Sequence, residues 1–276
     1  MDESLKARVE DCIELATPEG ARVWATAQGA HVLDWVPAAG MPGQLFVSQA
    51  SAFGAGASIR GGVPVIFPQF GQFGELPKHG FARRSRWQLA DRQADSLRYE
   101  LRDSEDSRAI WPHAFVAGLT VQLQARRLQV SLDVTNTGSS ACQFTAGLHS
   151  YLRVDEIADA ALQGLGGRAY WDATADLAHR EQPAGDLRFA GELDRVYPQV
   201  TGPLTVTEGE RSIEITARGF EDVVVWNPGP IKAADMTDME PHGHRRMLCV
   251  EAAQIAKPVS LAAGESWRGS QTLKVW

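Results

Sequence analysis

Between Ser58 and Arg84 the chain carries three strong cations, Arg60, Lys78 and Arg83, and one histidine, His79, among many Gly, Pro and aromatic residues. Guanidinium forks and an ammonium hold anions and sugar hydroxyls, arginine through paired hydrogen bonds and lysine as a point charge. Proline lacks the ladder donor and glycine weakens strand interiors, so the segment predicts a shaped loop. A partly apolar loop that fixes polar groups in place suits a small-molecule site. For any single residue here, a solvated charge on a structural connection is the plain alternative; the cluster argues against it.

Two further segments bring ionisable groups into apolar company. His149 stands among Leu148, Tyr151 and Leu152 on a predicted strand, and Glu251 follows the apolar run Met247-Leu248-Cys249-Val250. Burying a carboxylate is costly, so it needs a partner or a task. Each residue alone also reads as a satisfied core group. Together they supply a proton donor and an acceptor from separate parts of the chain, which general acid–base catalysis requires. His242 and His244 flank Gly243 in a polar loop, Pro241 to Arg246, and read as solvated; His31, His113 and His179 have no supporting context.

Period-two alternation supplies the elements that would position these groups. Leu97, Tyr99 and Leu101 alternate with Arg98, Glu100 and Arg102, and Phe115 to Leu123 and Leu128 to Val134 follow the same rule. These are half-buried antiparallel strands ended by turn residues. Ile213 and Ile215 mark another strand, and Val223 to Trp226 reads as one buried on both faces. A short helix is expected over Ile231 to Met239, stopped before Pro241. No strand–helix alternation, repeat or linker divides the chain, so the expectation is one all-β domain over residues 1–276, a sandwich of two large antiparallel sheets.

A net charge of −7 over 276 residues argues against a nucleic-acid partner. Cys12, Cys142 and Cys249 are widely spaced, without a Cys-x-x-Cys pair, and are expected to be buried inert thiols. Neither an N-terminal signal core nor a membrane-length apolar run is visible. The expectation is a cytoplasmic protein, a monomer by default, with no membrane partner. No Gly-x-Ser-x-Gly elbow, Walker loop or dinucleotide fingerprint is present.

The segments Ile59-Arg60-Gly61-Gly62-Val63-Pro64, Phe67-Pro68-Gln69-Phe70-Gly71, Lys78-His79-Gly80-Phe81-Ala82-Arg83, Leu148-His149-Ser150-Tyr151, Val225-Trp226-Asn227-Pro228 and Cys249-Val250-Glu251-Ala252-Ala253 resemble the signatures of the D-hexose-6-phosphate mutarotases. These glucose-6-phosphate 1-epimerases are a branch of the aldose 1-epimerase superfamily. The resemblance spans nearly the whole chain and implies a galactose-mutarotase-like antiparallel β-supersandwich with its site on the concave face of one sheet. It implies His149 as the general acid toward the ring oxygen and Glu251 as the base toward the C1 hydroxyl, with no metal or cofactor. It assigns Arg60, Lys78 and Arg83 to substrate and phosphate, His79 to the sugar ring and Asp194 to sugar hydroxyls. Gln254 stands where relatives often have Asn, and the Pro241 to Arg246 loop looks individual enough to shape specificity. A mutarotase of unphosphorylated aldoses and a non-catalytic sugar-phosphate binder on the same fold are the alternatives.

Overall fold

The computed structural model describes residues 3–276; Met1 and Asp2, part of the N-terminal stretch read above as having no signal core, lie outside the described residues. Two large antiparallel sheets dominate, as the alternation requires. The nine-stranded sheet includes Ser96–Arg102, Phe115–Gln124, Arg127–Asn136 and Ser266–Val275. In them Leu97, Tyr99, Leu119, Val121, Leu128 and Leu132 are fully buried, and the intervening polar residues lie on the outer face. The eight-stranded sheet has Met247–Leu261 near its centre, between Asp222–Asn227 on one side and Cys142–Leu148 and Tyr151–Arg153 on the other. Asp222–Asn227 is buried from end to end, which accounts for its uninterrupted apolar run.

The two-sheet expectation was incomplete. A third, three-stranded sheet is formed by Ile13–Ala16, Arg22–Thr26 and His31–Val36. Its Val32 bridges to Val63, so it braces the loop that carries Arg60. The helix expected over Ile231 to Met239 is instead Gly229–Ala234. Beyond it the chain turns so that Met239 packs into a small core with Phe46 and Tyr151, while Asp238 reaches Arg60. Of the three thiols, Cys142 and Cys249 are buried but Cys12 is half-exposed, because it lies just before an edge strand. No described helix is long and apolar enough to cross a membrane.

One polar contact ties the two large sheets together beneath the site. Gln271, 3% exposed on Ser266–Val275, donates through Nε2 to the Val250 carbonyl at 3.0 Å. Its Oε1 accepts from the fully buried Ser150 hydroxyl at 2.5 Å. Ser150 interrupts the strand between Cys142–Leu148 and Tyr151–Arg153, so Gln271 holds that interruption in shape. Replacing it by leucine strands two buried polar groups, at a cost of about 1–3 kcal/mol for each unsatisfied group. Gln271→Leu is therefore expected to lower the urea midpoint by an amount equivalent to at least ~1 kcal/mol. An unchanged midpoint would show that the contact adds nothing.

Candidate active site

Strand register brings the ionisable residues together. Along Met247–Leu261, Cys249 pairs with Trp226 on one side and Tyr151 on the other, and Trp226 pairs with Asp194. Two residues further on, Glu251 pairs with Val224, which pairs with Val196. The register that sets Leu148 against Ala252 and Tyr151 against Cys249 carries His149 opposite Glu251. Successive side chains in a strand alternate in face, so these two rows project from the same side of the sheet. His149 itself is not on a strand, contrary to expectation: it and Ser150 form a break, with the His149 N–H donating to the Pro64 carbonyl. The break turns the imidazole toward the carboxylate, with His149 Nδ1 3.4 Å from Glu251 Oε1.

Loops from the Ser58 to Arg84 segment close one side of this face. Gly61 and Gly62 have positive φ values of 124° and 60°, and a Cβ would stand 2.2 Å from the Phe46 carbonyl and 2.1 Å from that of Val32. Only glycine permits this approach, and it delivers Arg60 to the pocket. His31, which had no context in the sequence, is buried here and bonds the Gly61 carbonyl through Nε2 at 2.8 Å. His79 takes a left-handed φ of 66°, and its Nδ1 accepts from the Gly71 N–H at 3.2 Å. With Nδ1 the acceptor, a neutral His79 carries its proton on Nε2 and is a hydrogen-bond donor there.

The result is a cavity of about 730 Å³ lined by Arg60, Lys78, His79, Arg83, His149, Asp194 and Glu251, every residue singled out from the sequence. Trp226, Phe70 and Phe73 supply apolar wall. A family model described as aldose 1-epimerase matches residues 11–274. The chain belongs to the aldose 1-epimerase family. It is therefore an enzyme of the isomerase class. An Escherichia coli (strain K12) protein named "Putative glucose-6-phosphate 1-epimerase" is 32% identical over 98% of this chain and 93% of its own. The crystal structure of a "putative mutarotase" from Salmonella typhimurium superposes with a TM-score of 0.88 at 30% identity, covering 97% of this chain and 91% of that one. A galactose mutarotase-like protein from Lactobacillus casei shares the fold, with a TM-score of 0.79 at 15% identity over 96% of this chain and all of that one.

Within this epimerase pocket, burial sets the protonation states. Glu251 is 1% exposed, and burial, reinforced by Asp194, holds its carboxyl well above the usual carboxylate range. Burial, with His79, Arg60 and Arg83 adding to it, holds His149 well below the usual histidine value. Burial thus favours the uncharged form of both groups. Burial and the same cations depress His79 to about 3. Neither His149 Nδ1 nor Glu251 Oε2, both buried, has a hydrogen-bond partner.

Reading the sequence missed several participants. Asp238 accepts from Arg60 Nε and Nη2 at 3.2 and 2.9 Å, and Arg60 Nη1 donates to the Tyr151 hydroxyl at 2.8 Å. Tyr151 stacks on His149, with ring centroids 4.8 Å apart and planes 10° apart, so one chain of contacts runs from Asp238 to the imidazole. Lys232 and Met236 also line the cavity, and Lys232 pairs with Glu192 at 2.7 Å. The signal for these was position near Trp226-Asn227-Pro228: the Asn227 amide donates to the His244 and Met247 carbonyls and fixes the exit of that loop. The Pro241 to Arg246 loop does not line the cavity. His242 in it is exposed as expected, whereas His244 is half-buried. Gln254 bridges the Glu221 N–H and the Lys257 carbonyl beside a strand irregularity, a structural task.

Burial raises the Asp194 carboxyl from 3.8 to about 6, against the pull of Lys232 and Lys78. Between these values the folded chain binds more protons than the unfolded one, so this group's contribution to stability falls as pH rises through the window. Asp194→Asn is expected to raise the urea midpoint above pH 6 and to change it little near pH 4. Equal shifts at both pH values would mean that ionisation of Asp194 is not the cause.

Proposed function

We propose that this enzyme interconverts the α and β anomers of hexose 6-phosphates by acid–base ring opening and closure. The observation that carries the phosphate is Arg83. Among the described residues its buried Nε–H has no partner, and the guanidinium makes one long hydrogen bond of 3.4 Å, from Nη2 to the Lys78 carbonyl. Burial pushes the guanidinium down to about 10, with Arg84 and Arg60 adding to it against the pull of Tyr151 and Asp238. Lys78 is likewise lowered by burial and by Lys232, Arg83 and Arg60. A dianion placed among these cations would supply the missing acceptor and relieve their mutual repulsion.

The same anion would ready the catalytic pair. Arg60 and Arg83 add to the burial that depresses His149, so an anion beside them would ease protonation of the imidazole. His149 then protonates the ring oxygen as Glu251 takes the C1 hydroxyl proton, and the C1–O5 bond breaks to give the aldehyde. Rotation about C1–C2 presents the other carbonyl face. In closure the ring oxygen attacks C1, returns its proton to His149, and Glu251 returns the proton to O1. On this reading His79 Nε2–H donates to the sugar ring and Asp194 accepts from sugar hydroxyls.

His149→Ala and Glu251→Gln are each expected to slow anomer exchange on glucose 6-phosphate by about 10²–10⁴-fold, measured by magnetisation-exchange NMR. Near-normal exchange in both variants would move the acid–base pair elsewhere. The double variant is expected to fall far short of the product of the two losses, because one proton relay is removed either way.

Arg83→Ala tests the phosphate. Its loss should lower exchange on glucose 6-phosphate at least about tenfold, the lower end expected for removing one partner of a desolvated charge pair, and leave residual exchange of free glucose unaltered. If wild-type protein handles free aldoses as well as their 6-phosphates, and Arg83→Ala damages both alike, the substrate is an unphosphorylated sugar.

A further inference from the structure

Beside the proposed acid–base pair lies a thiol that the mechanism does not use. Cys249 is two residues before Glu251 on Met247–Leu261, hence on the same face, and its cross-strand neighbours are Trp226 and Tyr151. One ligand atom each from His149, Cys249 and Glu251 lies within 4.8 Å of both others. The three side chains are 7%, 0% and 1% exposed, respectively.

We propose that His149, Cys249 and Glu251 form a site for a thiophilic divalent cation, zinc or cadmium, whose occupancy shuts the enzyme down. The donor set is one imidazole nitrogen, one sulfur and one carboxylate oxygen, which suits these ions and not the oxygen-seeking magnesium or calcium. Bonds of about 2.0–2.2 Å to nitrogen and oxygen set such ligand atoms roughly 3.4 Å apart at the tetrahedral angle. The observed separation of His149 Nδ1 and Glu251 Oε1 is 3.4 Å, so this edge is already formed, and only the sulfur must draw closer. The second observation is the lack of competing partners: His149 Nδ1 and Glu251 Oε2 are buried and unbonded. Three protein ligands leave a fourth position, which water entering from the cavity can fill.

Coordination replaces protons. The Cys249 thiol loses one to become a thiolate, and the Glu251 carboxyl loses another; both go to solvent. Because both protons must leave, metal affinity should rise with pH. Loss of activity rests on the catalytic reading above, since the metal would occupy both the acid and the base. Binding itself does not.

The test adds cadmium chloride to wild-type, Cys12→Ser, Cys249→Ser and His149→Ala proteins, reading thiolate-to-cadmium absorption in the ultraviolet and anomer exchange by NMR. The expected result is one equivalent of absorption in the wild-type and Cys12→Ser proteins, none in Cys249→Ser, and affinity at least tenfold weaker in His149→Ala. Cadmium should abolish exchange in the wild type and EDTA should restore it. Cys249→Ser should exchange normally and resist the metal. Absorption that survives in Cys249→Ser, or that is missing from the wild type, overturns the proposal. Should Cys249→Ser fail to fold, His149→Ala and Glu251→Gln decide the matter, and undiminished cadmium affinity in both overturns it. Stoichiometric absorption with undisturbed exchange would uphold the metal site and remove His149 and Glu251 from catalysis.

Discussion

The close approach of His149 to Glu251 is the constraint around which the rest of this molecule is arranged. The two titratable groups stand 3.4 Å apart, nearly sealed from water. Burial disfavours charge on either. The charge-separated form, imidazolium and carboxylate, needs an outside influence to become favourable. Arg60 and Arg83 add to the burial that disfavours the imidazolium, while Arg83 favours the Glu251 carboxylate.

That arrangement explains how a protein of net charge −7 concentrates positive charge in one place. Arg60 and Lys232 have internal counterions, Asp238 and Glu192, whereas Arg83 has a buried N–H without an acceptor. The two paired cations are held in place by these carboxylates. Asp238 also braces Arg60 against Tyr151, whose ring lies on the imidazole. One chain of contacts therefore runs from Asp238 through Arg60 and Tyr151 to the imidazole. Cys249 offers its sulfur within 4.8 Å of ligand atoms of both His149 and Glu251.

The scaffold keeps these contacts by satisfying backbone groups at each interruption of the sheet. Gln271 crosses the sandwich to the break at Ser150, Asn227 holds the loop after Trp226, and the Asp222 carboxylate accepts from the Ile255 and Ala256 N–H groups where the central strand changes register. Each interruption leaves donors or acceptors that the ladder cannot pair, and a buried side chain supplies the partner. Irregular backbone is where the side chains of the site gain their unusual directions, as His149 and His79 show.

Much of this was written locally in the chain. Period-two alternation revealed the large sheets, because each strand must bury one face; the Gly-Gly after Arg60 and the His-Gly at position 79 marked turns that only particular backbones allow. Residue type alone pointed to His149, Glu251 and the cations, since charge in apolar company demands a reason. The three-stranded sheet and the early end of the helix at Ala234 were less legible, because partners distant in sequence decide them: Val63 for Val32, Arg60 for Asp238. Likewise, no local pattern shows that Glu251 faces His149 across a broken strand, that Tyr151 links Arg60 to the imidazole, or that Cys249 lies beside them. Sequence alone determined which chemistry the side chains can perform. The strand register of the tertiary structure decided which of them meet, and burial decided that both His149 and Glu251 favour the uncharged form.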